Sequence, residues 1–191
     1  DAPIKIVKIM AVTIAVFFSN CTVFDNNLDN PNDNEANEEL GVFPPSVVFF
    51  PKEQTKTVSD TVSVGAYAVF SDTSIVPFSG AHLNIKYDNS LLEIDSIAPG
   101  WIGPGSITDS NKTTPLFTYV EDQGILDIYA YYLSTSDISI DSLTHIAEIW
   151  FKPKSVGSSI VSYDTSECQL IKFDETIIPI NGTREASIII Q

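Results

Sequence analysis

The sequence is poor in cysteine, in basic residues and in helix-forming runs. Cys21 and Cys168 are the only cysteines, and a disulfide framework would need more of them at closer spacing. Ten Lys and Arg residues stand against 25 Asp and Glu residues, so the formal net charge is −15. A surface of that sign repels a polyanion, and no basic patch offsets it. The composition therefore argues against a disulfide scaffold and against nucleic acid as a partner.

Side chains suited to catalysis or metal binding are also scarce. His82 and His145 are the only histidines and have no cysteine nearby in the sequence, which argues against a zinc site. We interpret both as solvated side chains on strands. Cys168 has no identifiable histidine partner, so we expect a buried strand thiol rather than a nucleophile. Because the acidic residues are scattered, paired carboxylates for glycoside hydrolysis are not indicated. We expect a protein that is not an enzyme and needs neither a cofactor nor a metal.

Strand-forming residues are abundant, and from residue 45 onward they alternate with polar ones. Val, Ile, Thr, Tyr and Phe dominate, while runs rich in Ala, Leu, Glu and Lys are missing, which favours an all-β fold. Turn signals such as "YDNS", "EDQG" and "NGT" separate the runs. Many short strands at this spacing predict an antiparallel β-sandwich. The alternation predicts these inward-facing residues: Val62, Val64, Ala66, Ala68, Phe70, Leu83, Ile85, Tyr87, Leu126, Ile128, Ala130, Tyr132, Ala147, Ile149 and Phe151.

The N-terminal segment has the pattern of a secretory signal. Lys5 and Lys8 precede "IMAVTIAVFFS", an apolar stretch too short for a spanning helix of about 20 residues. Residues 1–20 are therefore predicted to be a signal peptide. The following "FFSNC" resembles a bacterial lipobox, in which Ser19 fits, whereas Phe18 and Asn20 depart from the common form. We predict lipidation at Cys21 and a membrane-anchored lipoprotein at the cell surface. Ordinary cleavage and no processing remain the alternatives.

Residues 21–44 predict an acidic, disordered tether. The stretch "TVFDNNLDNPNDNEANEELG" carries six carboxylates and no Lys or Arg, and it has too few apolar residues to offset its ordering entropy. Asp25, Asn27 and Asp29 have the spacing of a calcium loop, but Asn30 stands at the sixth position and Ala36 at the twelfth. These positions need Gly and Glu, so we do not expect a calcium site. The folded domain is predicted to span residues 45–191.

The domain sequence resembles the cohesin family. Three stretches carry the resemblance in the family's order: "LNIKYDNSLLEIDSI", "HIAEIWFKPKSVGSSIV" and "NGTREASIII". It covers residues 45–190 and implies a jelly-roll sandwich of about nine strands. It also implies a non-catalytic module that binds a protein of the dockerin type or, in relatives, a polysaccharide. Cohesins hold dockerins through one sheet face, and the dockerin carries the calcium.

The outward residues of two strands are the candidate binding site. Asp127, Tyr129 and Tyr131 alternate along one strand, and in the cohesin layout that strand lies beside the one carrying His82, Asn84 and Lys86. Tyrosine offers rigid area and a hydroxyl, which suit protein interfaces and sugar stacking alike. The alternative is that a loop of the same domain covers these rings.

Two further aromatic residues extend the hypothesis toward sugars. A planar strip would require Trp101 or Trp150 beside Tyr129 and Tyr131, whereas Trp101 could equally plug the end of the sandwich. We therefore expect a cell-surface, cohesin-like module that recognises a dockerin-type protein in an extracellular polysaccharide-degrading context. Direct polysaccharide binding is the alternative, and a purely structural or accessory lipoprotein is the third reading.

Overall fold

The computed structural model describes residues 30–31, 33–71, 76–101, 115–132, 138–140 and 142–191. The predicted signal peptide, Cys21 and most of the predicted tether lie outside these residues. Within them the chain forms one helix, α1 (Asn34–Glu39), and fifteen strands. The strands are β1 Ser46–Phe50, β2 Glu53–Lys56, β3 Val62–Val69, β4 Val76–Phe78, β5 Gly80–Lys86, β6 Leu92–Trp101, β7 Leu116–Asp122, β8 Ile125–Tyr131, β9 Ile138–Ile140, β10 Leu143–Pro153, β11 Gly157–Tyr163, β12 Gln169–Ile171, β13 Ile177–Ile178, β14 Gly182–Arg184 and β15 Ala186–Ile190.

Two sheets face each other and form the predicted β-sandwich. The smaller sheet has the order β14-β1-β3-β10-β6. In the larger sheet, β7, β8 and β5 are adjacent, and the other edge of β5 is shared by β11 and β12. Beyond β11 follow β15 and β2, and β13 flanks β12. The short pair β4 and β9 lies apart from both sheets. The all-β sandwich is therefore confirmed.

The structure corrects the sequence-based prediction in the number of strands. It has fifteen strands among the described residues rather than about nine, because two long strands are interrupted and several short pairs are added. Pro51 separates β1 from β2, and Glu185 separates β14 from β15. The sandwich is antiparallel apart from two places, where β1 pairs β14 in parallel and β2 pairs β15 in parallel. The chain therefore crosses from the smaller sheet to the larger one twice, between β1 and β2 and between β14 and β15, and the two crossings lie side by side.

The space between the sheets is filled by the alternating residues that the sequence predicted. All fifteen of the predicted inward-facing residues are buried. Phe49, Phe78 and Leu92 are among the further members of the core, and Phe49 stacks on Tyr163 with ring centroids 4.0 Å apart. Because both sheets contribute to one continuous cluster, neither can keep its apolar face dry alone. The outward residues between these positions are left to the two surfaces.

The C-terminal part of the predicted tether differs from the prediction of a solvated segment. Helix α1 begins at the cap residue Asp33, whose side chain accepts a hydrogen bond from the Ala36 N–H at 3.0 Å. Asn37 is buried, and its Oδ1 accepts a hydrogen bond from Nη1 of the buried Arg184 at 2.7 Å. Val42 packs on the outer side of the smaller sheet against Val48 and Val69. One buried amide and one buried valine therefore hold residues 33–42 against the sandwich.

Arg184 is placed to receive this segment from the edge strand β14. Its Nη2 donates to the carbonyl oxygen of Phe49 at 3.2 Å, while its Nη1 reaches Asn37. A buried guanidinium requires such partners, because an unpaired buried charge is strongly destabilising.

No helix among the described residues has the length and apolar character needed to cross a membrane.

Replacing Asn37 with alanine should destabilise the domain. The change leaves one arm of the buried Arg184 guanidinium without its acceptor, which costs about 1–3 kcal/mol. Urea unfolding followed by circular dichroism would measure the free energy of unfolding. Glu38→Ala is the matched control, since Glu38 lies on the same helix but is exposed. Equal stability of both variants would show that α1 does not dock through Asn37.

Candidate functional site

The outer face of the larger sheet collects the side chains that point away from the core on β7, β8, β5 and β11. Leu126, Ile128 and Ala130 of β8 are buried, so the alternate residues of β8 point outward. The register of the paired strands determines which outward side chains are neighbours. Tyr129 lies opposite His82 and Thr118, and Asp127 lies opposite Asn84 and Val120. We call this surface the outer face; its members are His82, Asn84, Lys86, Leu116, Thr118, Val120, Ile125, Asp127, Tyr129, Tyr131, Ile160 and Ser162.

A hydrogen-bonded network forms the centre of the outer face. Oδ1 of Asp127 accepts a hydrogen bond from Nδ2 of Asn84 at 2.9 Å and lies 2.8 Å from Nε2 of His82. The His82 ring stacks on Tyr129 with centroids 4.4 Å apart and planes within 5°. The six candidate residues on β5 and β8 therefore do share one surface, and four of them contact each other.

The two histidines are not the solvated side chains that we expected. The His82 side chain is only 17% exposed because Tyr129 covers one side of its ring. His145 is 13% exposed, stacks on Tyr67 at 4.5 Å, and has Nε2 3.2 Å from a carboxylate oxygen of Glu148. Both histidines have an aromatic partner on the neighbouring strand, because residues in register on adjacent strands project to the same side. Sequence alone does not give that register.

Tyr131 lies over a glycine at one end of the outer face. Gly80 is its direct partner on β5, and a Cβ built on Gly80 would overlap the Tyr131 ring. The ring therefore lies flat on the backbone of β5, which a side chain at position 80 would prevent. Partial burial, and next the neighbouring Tyr129, raise the pKa of the Tyr131 hydroxyl.

An ion pair closes the other end of the outer face. Lys86 Nζ lies 2.6 Å from Oδ2 of Asp164, which begins the turn after β11. The hydrogen bond from Lys86, followed by that from Ser166, lowers the pKa of the Asp164 carboxyl to about 2. The carboxylate of Asp164 thus fixes both the lysine and the turn.

The turn of residues 164–168 explains the position of Cys168. Strand β5 pairs with β11 near its end and with β12 near its start. Between these two paired regions, the N–H of Asn84 donates to Sγ of Cys168 at 3.3 Å. The thiol in turn lies 3.6 Å from the Asn84 carbonyl oxygen. Burial raises the pKa of the Cys168 thiol to about 11. The expectation of a buried thiol is confirmed, although Cys168 precedes β12 instead of lying in a strand.

Sequence reasoning missed the apolar perimeter of the outer face. Leu116, Val120, Ile125 and Ile160 surround the polar centre and are each between 44% and 59% exposed. The alternation of Leu116, Thr118 and Val120 in "LFTYVED" is the signal that could have found two of them. Several exposed apolar side chains on one surface are typical of sites that bind other proteins.

The two tryptophans do not join the tyrosines. Trp150 lies on β10, opposite Ser63 and Ser96, and Trp101 is the last residue of β6, opposite His145. Both strands belong to the smaller sheet, whereas Tyr129 and Tyr131 belong to the larger one. The planar strip required for the sugar hypothesis therefore does not form. The alternation along a strand predicts that Trp150 points outward, but it does not show to which sheet the strand belongs, and Trp101 ends a strand instead of lying in a loop.

Metal coordination finds no support in the described part of the chain, where no group of three or more His, Cys, Asp or Glu side chains is arranged to hold an ion. What the outer face offers is a surface with hydrogen-bonding groups at its centre and apolar side chains around them. Such a surface can bind a ligand without covalent chemistry.

Comparisons with known proteins found a matching family model and several similar structures. The family model described as "Cohesin domain" matches residues 47–177. A non-cellulosomal cohesin from the archaeon Archaeoglobus fulgidus is similar in structure, with a TM-score of 0.55 and 12% identity over 76% of this chain and 90% of that one. The sixth cohesin of scaffoldin B from Acetivibrio cellulolyticus, solved in complex with a mutant of the Cel5 dockerin, has a TM-score of 0.55 and 16% identity over 76% and 98% of the two chains.

A third similar structure is a type I cohesin–dockerin complex from Clostridium thermocellum. Its TM-score is 0.54 at 17% identity, covering 76% of this chain and 94% of that one. A comparison with curated protein sequences found no significant match.

Replacing Gly80 with alanine should destabilise the domain through Tyr131. The added Cβ must displace the ring, and such overpacking costs about 1–3 kcal/mol. The measurement is the free energy of unfolding of Gly80→Ala, of Tyr131→Ala and of the double variant. The double variant should lose clearly less than the sum of the two, because the overlap is then gone. Additive losses would contradict the close packing of Tyr131 on Gly80.

The Lys86–Asp164 pair should contribute stability that disappears in acid. Because the pKa of Asp164 is lowered in the folded protein, the contribution is complete above the ordinary carboxyl pKa of about 4. It is lost as the pH falls toward about 2. NMR titration of the side-chain carboxyl carbon would measure the pKa directly. In Lys86→Met it should rise toward its ordinary value, and an unchanged value would assign the shift to Ser166 alone.

Proposed function

This chain belongs to the cohesin family, and from that membership and the outer face we propose that it is a non-catalytic module that binds a dockerin-type protein. The single observation that carries the proposal is the composition of the outer face. It joins a prearranged polar centre, two tyrosines and an exposed apolar perimeter on one sheet. The similar structures from Acetivibrio cellulolyticus and Clostridium thermocellum were solved with dockerins, which supports this class of partner.

The polar centre is suited to recognition because its geometry is fixed before a partner arrives. Asp127 Oδ1 is occupied by Asn84 and His82, and Tyr129 is held by the His82 ring. Side chains that are already ordered lose little conformational entropy on binding. The apolar perimeter supplies area from which a partner would exclude water, as at Leu116 and Ile160.

We propose further that the module acts at the cell surface in an extracellular, polysaccharide-degrading setting. This part rests on the signal-like segment and on the lipobox-like sequence ending at Cys21. Direct sugar binding by the outer face is not proposed, because the aromatic strip that it required is divided between the two sheets.

Capture of partners by the full-length chain tests the proposal. The immobilised protein would be exposed to secreted proteins of its own organism with calcium or with EDTA, and captured proteins identified by mass spectrometry. We expect a dockerin-bearing protein that is released by EDTA, since the resemblance implies that the dockerin carries the calcium. Val120→Asp and Ile160→Asp should each weaken capture by about tenfold or more, because a charge then stands in the apolar perimeter.

Val58→Asp is the matched control for these variants. Val58 is also an exposed valine, but it lies in the turn between β2 and β3, away from the outer face. Capture that Val58→Asp weakens as much as Val120→Asp would place the contact elsewhere. Failure to retain any calcium-dependent protein would contradict the dockerin assignment.

A further inference from the structure

A groove with a volume of about 560 Å³ lies between the edges of the two sheets, separate from the outer face. One wall is the beginning of β6, with Glu93 and Asp95, and the other is the end of β7, with Tyr119 and Glu121. Its size falls within the roughly 300–1,000 Å³ typical of small-ligand sites. The groove therefore has room for a ligand of several rings.

The groove lies at the start of β6 and at the end of β7, far from the points where the chain leaves β6 and enters β7. The chain leaves β6 at Trp101 and enters β7 at Leu116, whereas the groove is lined by residues 92–95 and 119–123. Strands β6 and β7 are the edges of their sheets among the described residues. A ligand there would meet side chains from both sheets and the free edges of both strands.

Hydrogen bonds hold one carboxylate of the groove in place. Tyr87 is buried, and its hydroxyl donates to Oε1 of Glu121 at 2.8 Å. The same oxygen accepts the N–H of Gly124 at 3.3 Å. Gln123, between them, adopts a positive φ of 50° and also lines the groove. Hydrogen bonds thus hold Glu121 in place, and its second oxygen can accept from a ligand.

The groove carries charges of both signs, so its lining does not match a ligand of a single charge. Asp95 is paired with Lys152, which is a neighbour on β10. Lys154 lies in the groove, and its Nζ donates to the carbonyl oxygen of Asn89 at 2.7 Å. The lining thus carries three carboxylates and the one ammonium group of Lys154, and Lys152, outside the lining, pairs with the Asp95 carboxylate. The lining offers acceptors in the carboxylates of Glu93 and Glu121 and donors in Lys154 and the Tyr119 hydroxyl, and a ligand rich in hydroxyl groups can use both.

Tyr119 adds the apolar component of such a site. Its ring is 45% exposed and stands on the wall formed by β7. An exposed tyrosine ring can stack on an apolar ring face while its hydroxyl stays in water. We propose that this groove binds a neutral oligosaccharide, with Tyr119 as the stacking platform and Glu93, Glu121 and Gln123 as hydrogen-bonding groups. The site is separate from the outer face, so this proposal does not depend on the proposed function.

The test is calorimetric titration of the full-length chain with neutral hexasaccharides of glucose, xylose and mannose, each up to about 10 mM. At least one should bind. Tyr119→Ala should weaken that binding about tenfold or more, corresponding to about 1.4 kcal/mol, and Glu93→Gln should weaken it less. Phe173→Ala is the control, because it removes an exposed aromatic ring from the turn between β12 and β13.

Thermal unfolding of each variant establishes that a loss of binding is not a loss of fold. Absence of binding by all three hexasaccharides would overturn the proposal, as would binding that Tyr119→Ala leaves unchanged. Binding of hexalysine in preference to the sugars would show a cation-binding groove instead. Capture of the dockerin-type partner should be the same in Tyr119→Ala and in the unaltered chain, so the two proposals fail independently.

Discussion

The structure depends on the burial of every second side chain between two sheets. Val64 and Ile149 of the smaller sheet, and Leu83 and Ile128 of the larger one, belong to one cluster closed to water. A shift of any strand by one residue would exchange its buried and exposed sides. The same constraint that fixes the core therefore also fixes which side chains reach the outer face. The side chains available for contact with a partner are therefore those that the alternation along each strand directs away from the core.

Alternation along single strands made the core predictable, and it also gave the outward phase of six candidate site residues. All six lie on the outer face because Leu83, Ile85, Leu126 and Ile128 set the phase of their strands. The contacts among them could not be predicted in the same way. That His82 stacks on Tyr129, and that Asp127 binds both His82 and Asn84, follows from register across strands that are more than 40 residues apart in sequence.

Two parts of the sequence-based interpretation differ from the structure because they depend on contacts between residues far apart in sequence. Trp150 has the outward phase that we expected, but its strand belongs to the smaller sheet, and phase carries no information on sheet membership. The segment before residue 45 was interpreted from composition, which averages over residues and therefore overlooks a single buried amide. Asn37 meets Arg184 across 147 residues of sequence, and no local pattern marks that contact.

The parallel pairing of the first and last strands has a mechanical consequence. Strand β1 runs beside β14, and β2 beside β15, in the same direction. Tension applied between the start of β1 and the end of β15 acts along both ladders, at right angles to their hydrogen bonds. The bonds of a ladder then share the load, whereas a hairpin pulled open at its ends loses them one after another. A domain that is held at one terminus and pulled from the other is thus clamped where the force enters and where it leaves.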